Sequence, residues 1–70
     1  MEKIKISIKL KELRKLKGVT QFEVAKAISV TESAYANYEQ GIREPSYEIL
    51  VKLCKYFEVS SDYLLWLTEI

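Results

Sequence analysis

Apolar positions along this chain recur mostly at the spacing of amphipathic helices. Over residues 7–17, Leu10, Leu13 and Leu16 fall at i, i+3 and i+6 with Arg14 beside them, and Gly18 ends the pattern. Ahead of that, Ile4, Ile6, Ile8 and Leu10 alternate with other residues, largely Lys. Residues 1–6 therefore fit an extended segment as well as they fit the start of the first helix. Thr20-Gln21-Phe22-Glu23 has the form of a capping box. The Thr20 hydroxyl can accept the Glu23 amide while the Glu23 carboxylate accepts the Thr20 amide. Val24, Ala25 and Ile28 continue as an apolar stripe that stops at Ser29-Val30. Thr31 is placed to cap a third helix running to about Gln40, with Gly41 closing it.

Between the second and third helices there is room for a turn of about three or four residues, the spacing of a helix-turn-helix unit. Pro45 and Ser46 open a fourth helix, with Ile49, Leu50, Leu53, Cys54 and Phe57 on one side. Ser60 or Ser61 caps a short fifth carrying Leu64, Leu65 and Leu67. Gly18, Gly41 and Pro45, the only Gly and Pro residues, all lie between these patterns as punctuation. Nothing reads as a sheet core, so the predicted class is all-α, a single domain over residues 1–70.

Composition narrows the chemistry. One Cys cannot form an internal disulfide, and the absence of His argues against a zinc site. The fold must rest on its core, for which 49% hydrophobic residues suffice. Without His, a phosphate-binding Gly-rich loop or a pocket to gather the scattered acids, an enzyme is not expected, nor is a cofactor. No apolar run approaches the ~20 residues of a membrane span. No secretory h-region is evident, so a cytoplasmic protein is expected.

The net charge is +1, but it is unevenly spread. Residues 1–17 hold seven Lys and Arg against two Glu, a local +5; residues 18–70 hold four against eight acids, a local −4. Two readings fit the basic segment: a solvated helix face, or an edge that steers a polyanion. A basic amphipathic membrane helix fits less well, because Leu10 and Leu13 are needed in the core.

On a helical wheel of the third helix, Glu32, Ser33, Ala36, Asn37 and Gln40 fall within roughly 0–140°, and Thr31, Ala34, Tyr35 and Tyr38 within roughly 200–300°. One face is aromatic and faces inward. The other is built of polar side chains and one Ala, which suits either plain solvation or close approach to base edges in a major groove.

The ordered set Leu10-Lys11-Glu12-Leu13-Arg14, Gly18-Val19-Thr20-Gln21, Val24-Ala25, Val30-Thr31, Tyr38-Glu39-Gln40-Gly41-Ile42-Arg43-Glu44-Pro45-Ser46 and Val59-Ser60-Ser61-Asp62-Tyr63-Leu64-Leu65 resembles the lambda-repressor-like, Cro-type family. The likeness covers about residues 6–67. It implies a compact five-helix domain that binds double-stranded operator DNA, commonly as a dimer. Residue by residue, it implies base contacts from Glu32, Ser33, Ala36 and Asn37, and phosphate contacts from Gln21, Thr31, Gln40 and Arg43. It further implies that Arg14 and Glu39 form an internal salt bridge between the first and third helices. Chemistry agrees: Asn can pair bidentately with adenine, Glu can accept from cytosine N4, and Arg43 in a loop can reach a phosphate. Val24, Ile28, Val30, Tyr35 and Tyr38 are expected in the core, with Ala25 small enough to let two helices approach. Cys54 is expected on the apolar side of the fourth helix.

Two features depart from the pattern. Ser29 stands where the family usually has Gly, so it must tolerate the turn conformation at some cost. Glu32 adds a negative charge to a face that would meet phosphates. An alternative function is therefore a helix-turn-helix fold used as a protein-interaction module with weak or no DNA binding. At the end of the chain, Trp66, Leu67 and Ile70 make an apolar surplus. They either complete the core or form a homodimer surface.

Overall fold

Side-chain caps decide where the helices begin. The computed structural model describes residues 6–64, which form α1 (Ile6–Lys17), α2 (Gln21–Ala27), α3 (Glu32–Gln40), α4 (Tyr47–Phe57) and α5 (Ser61–Leu64), with no strand among them. The Thr20 Oγ accepts the Glu23 amide at 3.1 Å, and a Glu23 carboxylate oxygen accepts the Thr20 amide at 2.8 Å, completing the capping box. Thr31 accepts the Ala34 amide at 3.1 Å, Ser46 the Ile49 amide at 3.3 Å and Ser60 the Tyr63 amide at 3.0 Å. Each such cap contributes about 1 kcal/mol. It is Ser60 that caps α5, and Ser61 is the first residue inside the helix.

Left-handed residues decide where they end. Gly41, at φ +77°, closes α3 while the Ile42 amide returns to the Asn37 carbonyl at 3.0 Å. A Cβ there would meet Ser7 Oγ at an ordinary 3.5 Å, so it is the backbone conformation that asks for glycine. Ser29 closes α2 in the same way at φ +62°, with the Val30 amide bonded to the Ala25 carbonyl at 3.0 Å. Glu58 does so after α4 at φ +58°.

All five helices contribute to one core of Ile6, Leu10, Val24, Ala25, Ile28, Tyr35, Tyr38, Leu53, Phe57 and Leu64. α1 touches α3, α4 and α5, while α3 packs on α1 and α2. Ala25 is buried at the α2 end of that core. Leu13, Val19, Val30, Ile49, Leu50 and Cys54 are half-buried and pack against it. Burial pushes the Cys54 thiol up from its ordinary pKa, so it stays protonated and poorly reactive at neutral pH.

Leu16 corrects the expected stripe: it is 84% exposed. At about 100° per residue, i+6 lies some 120° off the line of Leu10, whereas i+7 lies about 20° off it. Position 17 lies closer to that line, and although Lys17 is exposed, its ammonium sits 5.0 Å from the Tyr56 ring centroid. Lys9 lies 4.2 Å from the Tyr63 ring and ties α1 to α5. The choice left open for residues 1–5, and Leu65, Leu67 and the Trp66 surface, lie outside the described residues. Ile6 itself is the first, buried residue of α1. Among the described residues, no helix is long and apolar enough to cross a membrane.

Candidate nucleic-acid interface

α3 separates its two faces cleanly. Tyr35 and Tyr38 are buried and meet edge to face, with ring centroids 6.3 Å apart. On the far side Glu32, Ser33 and Gln40 are exposed, and Ala36 and Asn37 are half-buried. None of these side chains is needed by the core, which explains why the face can be polar and short. Thr31 is exposed at the start of α3, where its oxygen accepts a backbone amide and its O–H is left to donate outward. Arg43 is exposed in the loop after α3, its amide bonded to the Asn37 carbonyl at 3.3 Å.

The inner edge of α3 ends in a charge rather than an apolar residue. Glu39 is only 3% exposed and gathers donors from two other helices. Its Oε2 accepts from Arg14 Nε at 2.6 Å, and its Oε1 accepts from Arg14 Nη2 at 3.3 Å and from Gln21 Nε2 at 3.0 Å. Arg14 Nη1 donates in turn to the Val19 carbonyl at 3.1 Å. Burial alone would push the Glu39 carboxyl up, but the donors around it outweigh this and hold it below the usual carboxylate range. The Arg14 guanidinium is correspondingly held in its charged form by Glu39. The Tyr35 hydroxyl is fully buried near this carboxylate without completing a hydrogen bond. Burial and the adjacent negative charge push its phenol well above the ordinary range, so it stays neutral.

The pairing of Arg14 with Glu39 joins α1 to α3, at positions where the resemblance implies a salt bridge. The bond from Gln21 to Glu39 was not legible in the sequence. Eighteen positions separate the two residues, and no periodicity relates them. Next to this cluster a groove of ≈ 570 Å³ opens between α1 and the end of α3, with Lys11, Glu12, Lys15 and Gln40 on its walls. It brings part of the basic α1 surface beside the C-terminal end of the exposed α3 face.

Comparison with known proteins agrees with this fold. A family model described as helix-turn-helix matches residues 10–64. The chain is 45% identical over 56 residues to the uncharacterized HTH-type transcriptional regulator YqaE of Bacillus subtilis, covering 80% of this chain and 48% of that protein. It is 39% identical over 62 residues to the HTH-type transcriptional regulator ImmR of the same organism, covering 89% of this chain and 49% of that one. This chain thus spans about half the length of the curated relatives it matches. The P22 c2 repressor, solved in complex with a synthetic operator, superposes with a TM-score of 0.83 at 28% identity, over 93% of this chain and 96% of that one. The all-helical arrangement is that of lambda-repressor-like domains. With 55 of its residues inside the family model, the chain belongs to the helix-turn-helix family.

Proposed function

We propose that this chain binds double-stranded DNA in a sequence-specific manner, as the reading domain of a transcriptional regulator, with α3 laid in the major groove. The observation that carries this is the polar outer face of α3, unused by the core and held on the capped frame of α2 and the turn. The P22 c2 repressor, whose structure holds an operator, has the same fold. Glu32, Ser33, Ala36 and Asn37 read base edges; Gln21, Thr31, Gln40 and Arg43 hold phosphates. Lys11 and Lys15, with Glu12 between them, supply a small positive charge near Gln40. The curated relatives, being transcriptional regulators, favour this reading over a protein-interaction module. A cytoplasmic, non-enzymatic regulator that dimerises through the residues around Trp66 completes the proposal.

Selection from a random duplex library is the decisive experiment. A recovered consensus, with affinity that falls as salt rises, is the expected result. An unenriched pool, with no retention on bulk DNA at low salt, would overturn the proposal.

A further inference from the structure

Glu39 is buried, yet it does more than pair with Arg14. Three donors converge on its two oxygens, and one of them is the side-chain amide of Gln21. A Gln amide has two chemically different ends, an oxygen that accepts and a nitrogen that donates twice. A carboxylate can only accept. Facing Glu39, the Gln21 amide must therefore turn its nitrogen, and not its oxygen, toward the α3 carboxylate. One N–H is consumed by that bond at 3.0 Å. The second N–H leaves the same nitrogen at roughly 120° from the first, a consequence of its planar geometry. Gln21 is half-buried, so part of its side chain reaches the surface, and no second partner takes this N–H among the described residues.

The same carboxylate would repel a phosphate if it were bare. Arg14 removes that objection, because its guanidinium holds Glu39 through two hydrogen bonds and cancels its charge. The geometry thus combines a fixed donor, a neutralised acceptor behind it, and a rigid link to the helix that carries the base-facing residues.

We propose that Glu39 is a positioning residue for DNA binding: it orients the Gln21 amide so that its second N–H meets a backbone phosphate, and so sets the depth of α3 in the groove. This rests on the DNA-binding reading above. Gln21 touches the phosphate; Glu39 acts through it. Because α3 carries both Glu39 and the base-facing residues, the phosphate contact and the reading face are locked in one register.

A double-mutant cycle on a mixed-sequence duplex at low salt tests this, with Gln21→Ala, Glu39→Gln and the combination measured at a temperature where all three are folded. Removing one hydrogen bond predicts about three- to tenfold weaker binding for Gln21→Ala. Glu39→Gln keeps the shape but permits the flipped amide, so it should weaken binding by a similar factor in the wild type. In the Gln21→Ala background it should have no further effect, although it still lowers thermal stability there. An equal loss of affinity from Glu39→Gln in both backgrounds would overturn the proposal, since Glu39 would then act by holding α3 alone. No effect of Gln21→Ala would instead remove the phosphate contact itself and leave the wider DNA-binding reading standing.

A second measurement needs no variant that might unfold. Gln21 and Gln40 are the only glutamines, so their side-chain amides are readily assigned by NMR. Gln21 should show one proton shifted and slowed in exchange relative to Gln40, which is exposed. Identical exchange for the two would also overturn the proposal.

Discussion

At the residue scale, the proposed DNA contacts divide into groups that specify, on the outer face of α3, and groups that hold, such as Arg43 in the loop after it. Asn37 is half-buried, its side chain points from the face opposite Tyr35, and the fold asks nothing of it beyond its backbone carbonyl. Arg43 is exposed in the loop and carries a full charge. The two should therefore fail differently. Asn37→Ala should cost about 1–3 kcal/mol of specific affinity and relax the preference at one base pair. Arg43→Ala should weaken binding about equally on all sequences and lower the salt slope by about 1. Titrations of both variants against the selected duplex and a scrambled one, at several salt concentrations, check this. A base preference altered by Arg43→Ala, or untouched by Asn37→Ala, would contradict the division. The place of Asn37 beside Glu32, Ser33 and Gln40 was legible in the sequence, because the wheel puts them on one face, and Arg43 was legible through the resemblance. The tie between Gln21 and Glu39 was not, since it depends on how α2 and α3 cross.

At the scale of elements, the turn and the inter-helix tie carry opposite energetic signs. Ser29 holds φ +62° to close α2 before α3 starts, a conformation that costs a residue with a Cβ about 1–2 kcal/mol. Ser29→Gly should recover about 1 kcal/mol and raise Tm by several degrees, with DNA affinity unchanged. Calorimetry reads the first and a titration the second; a lowered Tm would mean the serine side chain is needed. The tie runs the other way. Arg14→Ala would leave the Glu39 carboxylate buried against Gln21 alone, and breaking one side of a buried pair costs about 3–5 kcal/mol. Because Arg14 is itself partly exposed, the lower part of that range or less is expected. The folded Glu39 carboxyl lies below its ordinary pKa, so its pairing stabilises the fold at neutral pH. That contribution is lost as the pH falls through the depressed value, below the ordinary glutamate range. Removing Arg14 should therefore move acid unfolding to higher pH, measured by far-UV circular dichroism without DNA. If Arg14→Ala were as stable as the wild type but unable to bind, the arginine would belong to the interface.

At the scale of the whole molecule, one unit would present a single reading helix under the proposed function, and one helix covers only a few base pairs. Pairing two copies on half-sites about one helical turn, 34–36 Å, apart is the usual remedy. Trp66 is the proposed centre of that contact. Trp66→Ala should shift a concentration-dependent dimer toward monomer by analytical ultracentrifugation and weaken operator binding, with the α3 face unchanged. A wild type monomeric at high micromolar concentration, with Trp66 fluorescence already buried, would assign that residue to the core. Several properties were determined by the sequence alone, because they are local. The caps at Thr20, Thr31 and Ser46 each depend on an oxygen reaching an amide three residues away, and at the fifth helix the sequence narrowed the cap to Ser60 or Ser61. The left-handed exit at Gly41 and the aromatic and polar sides of α3 follow from φ preferences and a fixed rotation per residue, whereas Ser29 and Glu58 take the same conformation against theirs. What only the tertiary structure decided is which charged and polar groups meet across helices. Leu16 was left on the surface while Lys17 lay over Tyr56, and Glu39 came to hold Arg14 and Gln21 at once. Such meetings depend on how the helices cross, and the crossing follows from how the core side chains of the described residues, drawn from all five helices, pack, which no single stretch of chain encodes.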